Sequence, residues 1–365
     1  MKISKILNGY ITVSYIGDDS VVLAKRGQIY IYNFFEKKLS FILSLPENAF
    51  FFYLFSSKLL FRLFRYGVRC GITISNNELF LVFRKKYYKI NINDKSFSQV
   101  GIVEKGNRPL NILLLNNSKS FVNGIYYGEY FDNPNKNDVN IWHLNIITFE
   151  KRIAYTFPKG VLNHIHNLIY DKIEDKILVL AGDFEHSASM WVVEDNFKKI
   201  NLINSSQQIF RACIGFKISS SEFIYATDSQ LEKNSIRKFI YKDNLWLNEI
   251  ICYINGPAIY GTRCREDFIF STSVEGVSSF INGFWKYLDN KIGPGVLDKH
   301  AHIVIGNEIN GFNTIVNYKK DFWPFILFQF GAIIFPSGVS SSNFIATHHV
   351  ALEPYDICTV IYSLD

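Results

Sequence analysis

The sequence predicts an all-β fold, a β-propeller of six or seven four-stranded antiparallel blades, with seven preferred. Three observations carry this expectation. Apolar and polar residues alternate in short runs separated by Asn, Asp, Gly and Ser, and helical periodicity is nearly absent. Phe, Tyr and Trp make up 16% of the chain, and Ile and Val are frequent, a bias that suits pleated, half-buried surfaces. Finally, strand-like segments recur at a fixed interval.

The alternation marks strands at Ile11–Ile16, Gln28–Tyr32, Glu78–Phe83, Lys176–Ala181, Glu222–Ala226 and Asp267–Ser271. The repeat is clearest in four segments, each an apolar strand followed by a small and then a polar residue. They are Ile125 to Glu129, Val179 to Asp183, Ile224 to Asp228 and Ile269 to Ser273, and their last residues lie 54, 45 and 45 apart. A second series precedes them by about 17 residues, with the same interval of a propeller blade. It comprises His164-Ile165-His166-Asn167, Phe210-Arg211-Ala212 and Ile259-Tyr260-Gly261. Dividing 365 residues by a blade of about 50 gives seven, and irregular loops would allow six. A blade cannot bury its faces alone, so the ring is expected to close as one domain over residues 1–365, with strands from both termini sharing a blade. A β-sandwich leaves the interval of 45 unexplained.

Composition narrows the function classes. Apolar residues at 48% against 20% charged support a core and exclude disorder, collagen and coiled coil. The net charge of +6 comes from scattered Lys and Arg, so an acidic ligand fits and nucleic acid does not. Five Cys without a CxxC spacing read as reduced, mostly buried thiols. No secretory signal is visible at the start. The apolar stretches Ala49–Leu60 and Phe322–Phe335 fall short of the roughly 20 residues a spanning helix needs. Buried strands are expected there, with docking to membrane-associated polysaccharide assembly proteins as the other reading. The expected location is the cytoplasm.

Ligands of a propeller bind where loops and inner strands of different blades converge, so the second series supplies the site. His164 and His166 are two apart, which on a strand sends both imidazoles to one side. That suits a divalent metal, or a general acid/base beside an anion-binding group. Arg65 and Arg69 are read as lying on one strand face. With Arg211 they would form a cationic wall, since guanidinium binds carboxylates bidentately. Glu129, Asp183, Asp228 and Glu275 end the repeat strands. Two carboxylates of that kind would run glycoside hydrolysis, although acids at strand ends also satisfy turn backbone. His300, His302, His348, His349 and Glu353 are looser candidates. No Walker loop, GxSxG, HExxH or zinc-spaced cysteine set occurs.

From about Gly124 to Gly276 the chain resembles the sialidase-like, BNR-repeat β-propeller proteins of bacterial polysaccharide gene clusters. The likeness rests on Tyr127-Gly128-Glu129-Tyr130, His164-Ile165-His166-Asn167, Gly182-Asp183, Phe210-Arg211-Ala212, Ala226-Thr227-Asp228-Ser229 and Ser271 to Glu275. It implies a carbohydrate-active propeller acting on an acidic capsule- or O-antigen-related glycan, by hydrolysis or β-elimination. Arg69 and Arg211 would hold the carboxylate, with Asp183, Asp228 and Glu275 as further substrate contacts. His164 or His166 would transfer the proton with Glu129 as its carboxylate partner, and Tyr260 would join them in a lyase. The alternative is a non-catalytic sugar-binding or scaffold component of polysaccharide assembly.

Overall fold

The computed structural model describes residues 1–243, 245–277 and 283–364. It is an all-β, seven-bladed β-propeller with four-stranded antiparallel blades. In chain order the fourth blade shows how the sequence builds each one. Its strands are His164–Asp171, Lys176–Gly182, Ser189–Glu194 and Lys199–Ser205. The first two are buried almost throughout, whereas the last is half exposed. The inner strands are therefore buried on both faces, polar residues such as His164, His166 and Asn167 included, and the outermost strand meets solvent. The repeat segments ending at Asp183, Asp228 and Ser273 fall on the second strand of successive blades, and those at His164, Ala212 and Tyr260 on or beside the first.

Hairpin turns are set by side chains that replace backbone partners. Asp171 accepts from the amides of Ile173 and Glu174 at 2.9 and 3.2 Å. Asn33, Asn145 and Asn307 each do the same for the residues two and three ahead.

The chain divides into two compact units. One, residues Met1–Gly101 with Asn255–Asp365, holds the first, second, sixth and seventh blades. There Lys2–Asn8 pairs antiparallel with Cys358–Ser363, and Leu352–Glu353 adds a short fifth strand to the sixth blade. Its core includes Val22, Leu79, Leu81, Phe83, Ile303, Ile345 and Tyr362. The other unit, Ile102–Ile254, holds the third, fourth and fifth blades around Tyr126, Ile141, Val179, Phe223 and Tyr225.

Three segments depart from the sequence expectations. The stretch Ala49–Leu60 is not strand: it forms α1 (Ala49–Leu54) and α2 (Lys58–Leu63), capped by the side chains of Asn48 and Ser57. Phe322–Phe335 contains α3 (Phe325–Phe328) and only a short strand, Ala332–Ile334. Arg65 and Arg69 do not share a strand face either. Arg65 sits in the turn after α2 at φ +50°, and the strand begins at Cys70. No helix among the described residues is long and apolar enough to cross a membrane. None of the five cysteines is in a disulfide, and four are buried.

Candidate functional site

The site is built in the fourth and fifth blades, within the second unit. His164 and His166 open the first strand of the fourth blade. The pairing register there slips between Ile165 and Asn167, the position of a β-bulge, which re-aims side chains. The two imidazoles meet with Nε2 atoms 3.0 Å apart. The neighbouring strand pairs Gly182 with His164 and so delivers Asp183 next to both rings. Asp183 Oδ1 lies 3.3 Å from His164 Nε2 and 3.1 Å from His166 Nε2. Gly182 is required by this approach: a Cβ there would come within 2.1 Å of the His166 ring.

Each ring is oriented from behind. His164 Nδ1 faces the carbonyl of Phe131 at 3.1 Å, and His166 Nδ1 faces that of Ala212 at 2.9 Å. A carbonyl only accepts, so both Nδ1 atoms carry hydrogen and donate. Both Nε2 lone pairs then point into the space shared with Asp183. Three acceptor atoms so close need a positive charge between them, a proton or a cation. The Tyr130 ring covers His164 at 4.5 Å between centroids.

Arg211 sets the electrostatics. Its Nη2 is 3.3 Å from Asp183 Oδ1 and its Nε is 3.4 Å from Asp228 Oδ2, while its guanidinium lies over Phe184. Burial pushes the Asp183 carboxyl up, but Arg211 and the two imidazoles outweigh it and hold the group well below the usual carboxylate range. Cys213 donates to Asp228 Oδ2 at 3.2 Å. Burial and then the Asp228 charge push that thiol well above its ordinary value. With neutral imidazoles, two carboxylates and one guanidinium leave the cluster one negative charge in excess. The His164 and His166 side chains are 8% and 1% exposed and that of Asp183 25%, so access is from the carboxylate side.

The donor set suits a divalent metal. Ligands at ordinary N and O bond lengths, 90–109° apart, are separated by roughly 2.8–3.4 Å, which brackets the distances here. Imidazole ligands characteristically donate their other N–H to a carbonyl or carboxylate, as both do. His164, His166 and Asp183 form one such group, and His166, Cys213 and Asp228 another. In the second group the protonated thiol and the Nδ1 donation to Ala212 oppose coordination.

The other expected residues lie elsewhere or are otherwise engaged. Glu129 is not the carboxylate beside the histidines. It is buried and accepts from Lys105 Nζ at 3.0 Å, the Asn140 amide at 2.9 Å, and Asn140 Nδ2 and Trp142 Nε1, both at 3.1 Å. Arg69, Tyr260 and Glu275 belong to the first unit. Arg69 donates to Gln329 Oε1 at 2.7 Å, Tyr260 packs against the core that includes Ile303, and Glu275 accepts from Ser273 Oγ at 2.9 Å. The sequence reading missed Tyr130 and Cys213. Cys213 is two residues after Arg211, and Tyr130 follows Glu129 directly, so both lay beside motifs already singled out.

No protein-family model and no curated protein matches the chain. Among solved structures it is similar to an oligogalacturonate lyase in complex with manganese, at 6% identity and TM-score 0.53, covering 98% of this chain and 90% of that one. An oligogalacturonate lyase from Vibrio parahaemolyticus matches at 9% identity and TM-score 0.54, covering 99% and 90%. A chain of the mitotic checkpoint complex matches at the same identity and TM-score, covering 99% and 94%. At such identities the likeness is one of fold, and a fold shared by lyases and a checkpoint protein does not select a function. What these comparisons and the blade architecture establish together is a β-propeller.

Proposed function

We propose that this propeller is a metal-dependent, carbohydrate-active enzyme that cleaves an acidic glycan by β-elimination. The observation carrying the reading is the convergence of His164 Nε2, His166 Nε2 and Asp183 Oδ1 within 3.3 Å, with both imidazoles fixed from behind. These three residues would hold the cation, and a bound divalent ion supplies a Lewis acid for an anionic oxygen of the substrate.

The residues of the chain divide the remaining work. Arg211 pins Asp183 in its ionised form, and the open side of Asp183 is where a uronate carboxylate would approach. Hydrolysis is disfavoured because it needs two carboxyl groups available to the glycosidic bond. Glu129 is taken up by four donors, and Asp183 and Asp228 are both tied to Arg211. Arg211 itself, paired with two carboxylates, orders the site rather than gripping substrate. As ligands, the histidines also give up the proton-transfer role that their spacing first suggested. The proton beside the uronate carboxylate would pass to solvent water as the C=C bond forms, and the C–O bond would break with the glycosidic oxygen taking a proton from water. That two similar folds belong to oligogalacturonate lyases, one carrying manganese, agrees with this reading in kind.

The test is incubation of the purified protein with acidic oligosaccharides, with manganese and with a chelator. The unsaturated product of β-elimination is followed by ultraviolet absorbance. Metal-dependent cleavage lost in Asp183→Asn is expected. Binding of metal and sugar without cleavage would instead favour the non-catalytic sugar-binding role.

A further inference from the structure

We infer that the first unit carries a docking surface for an anionic lipid bilayer, formed by α1, α2, α3 and the short 3-10 turn Phe284–Tyr287. Phe50, Tyr53, Phe64, Phe284, Trp285 and Phe322 each keep 60–73% of their surface in solvent, and such exposed aromatic groupings mark interaction sites. Phe50, Tyr53, Phe64, Phe284 and Phe322 each touch another aromatic ring. Phe50 touches Phe51, which stacks on Phe55, which meets Phe64. Phe322 stacks on Trp323, which meets Phe328. The two runs are tied where Arg62 donates to the carbonyl of Phe328 and Gln329 donates to that of Arg62. The turn Phe284–Tyr287 joins α3 through the amide of Phe325, which donates to the Asp289 carbonyl at 3.3 Å.

Charge selects the occupant. From Asn48 to Asn77 the chain has Lys58, Arg62, Arg65 and Arg69 and no Asp or Glu, and Phe322 to Pro336 has no charged residue. Arg62 is buried and turned inward to Asp321 and Asp356, so those two acids are neutralised beneath the surface. Lys58 and Arg65 stay exposed, and half-buried Lys286 adds a third cation. Aromatic side chains at the level of lipid headgroups, flanked by Lys and Arg, are the chemistry of a peripheral bilayer contact. Side chains seated at headgroup depth make a superficial, reversible contact.

The test is co-sedimentation of the full chain with phosphatidylcholine vesicles and with vesicles containing phosphatidylserine. Binding is expected only to the anionic vesicles. It should weaken as salt rises from about 0.1 to about 1 M, where the screening length falls from about 10 to about 3 Å. The variants Phe50→Ser/Tyr53→Ser/Trp285→Ser and Arg65→Glu/Lys286→Glu alter exposed or half-exposed side chains and should melt like the parent. Each should lose about tenfold or more in partitioning. Failure to bind either vesicle would overturn the inference, as would equal binding by both variants. So would self-association abolished by the aromatic variant, which would assign the surface to a second copy of the chain.

Discussion

Replacing Gly182 with Ala is the sharpest perturbation of the candidate site that adds no charge and removes no ligand. The new Cβ would lie 2.1 Å from His166 Cε1 and 2.6 Å from Nε2, whereas ordinary contact begins at 3.4 Å. The obstacle is a ring held at its far side by the carbonyl of Ala212, 2.9 Å away, so it cannot swing off freely. Relief needs a displacement of about 1.3 Å in an interior packed without voids. Overpacking of this kind costs about 1–3 kcal/mol. The same movement separates His166 Nε2 from His164 and Asp183, and loss of ligand orientation typically weakens metal binding about 10–100-fold. Urea unfolding in chelator reads the first effect, and titration with manganese or zinc reads the second. A Gly182→Ala protein with the parent's stability and metal affinity would refute the packing of these rings.

Three further outcomes are expected. Asp183→Asn, measured in chelator, should cost about 1.5–3 kcal/mol at neutral pH, the value of hydrogen bonds to a charged group. Because the folded carboxyl is held below its ordinary range, that stabilisation is present above the unfolded value of about 3.9 and lost as pH falls through the folded one. The gap between parent and variant should therefore close only below about pH 4. Glu129→Ala strands the amide of Asn140 and the indole N–H of Trp142; at about 1–3 kcal/mol per buried unsatisfied group it should lower the melting temperature while leaving metal affinity unchanged. Burial pushes His349 down to about 3, so below the unfolded value of about 6.5 the unfolded chain binds the proton first. Stability should then fall by a few kcal/mol between about pH 6.5 and 3, and His349→Phe should flatten that slope in acid unfolding curves.

The blade architecture was legible because its signals are local and repeated. Ile11–Ile16, Glu78–Phe83 and Asp267–Ser271 are strands over the residues the alternation marks. The interval of 45 falls on equivalent strands of successive blades. The helices escaped because Ala49–Phe55 is an unbroken apolar run with no period to tell helix from buried strand. What decided it was capping by Asn48 and Ser57. Within the site, the meeting of His164 and His166 could be read from spacing, but their carboxylate could not. Asp183 is separated from them by a whole hairpin, and only the register pairing His164 with Gly182 brings it in. Among the strand-end acids that share one position in the repeat, Glu129 stood apart by residue type, which singled it out as the functional one. Its donors come from the neighbouring strand of its own blade, through Asn140 and Trp142, and from Lys105.

The central claim is that His164, His166 and Asp183 are metal ligands rather than a proton-sharing structural cluster. Its most direct test is the metal content of the purified chain after equilibration with manganese or zinc, beside that of His164→Ala/His166→Ala with its fold verified by circular dichroism. The account predicts about one bound equivalent in the parent and none in the variant. Metal absent from both proteins, or equally retained by the variant, would contradict it.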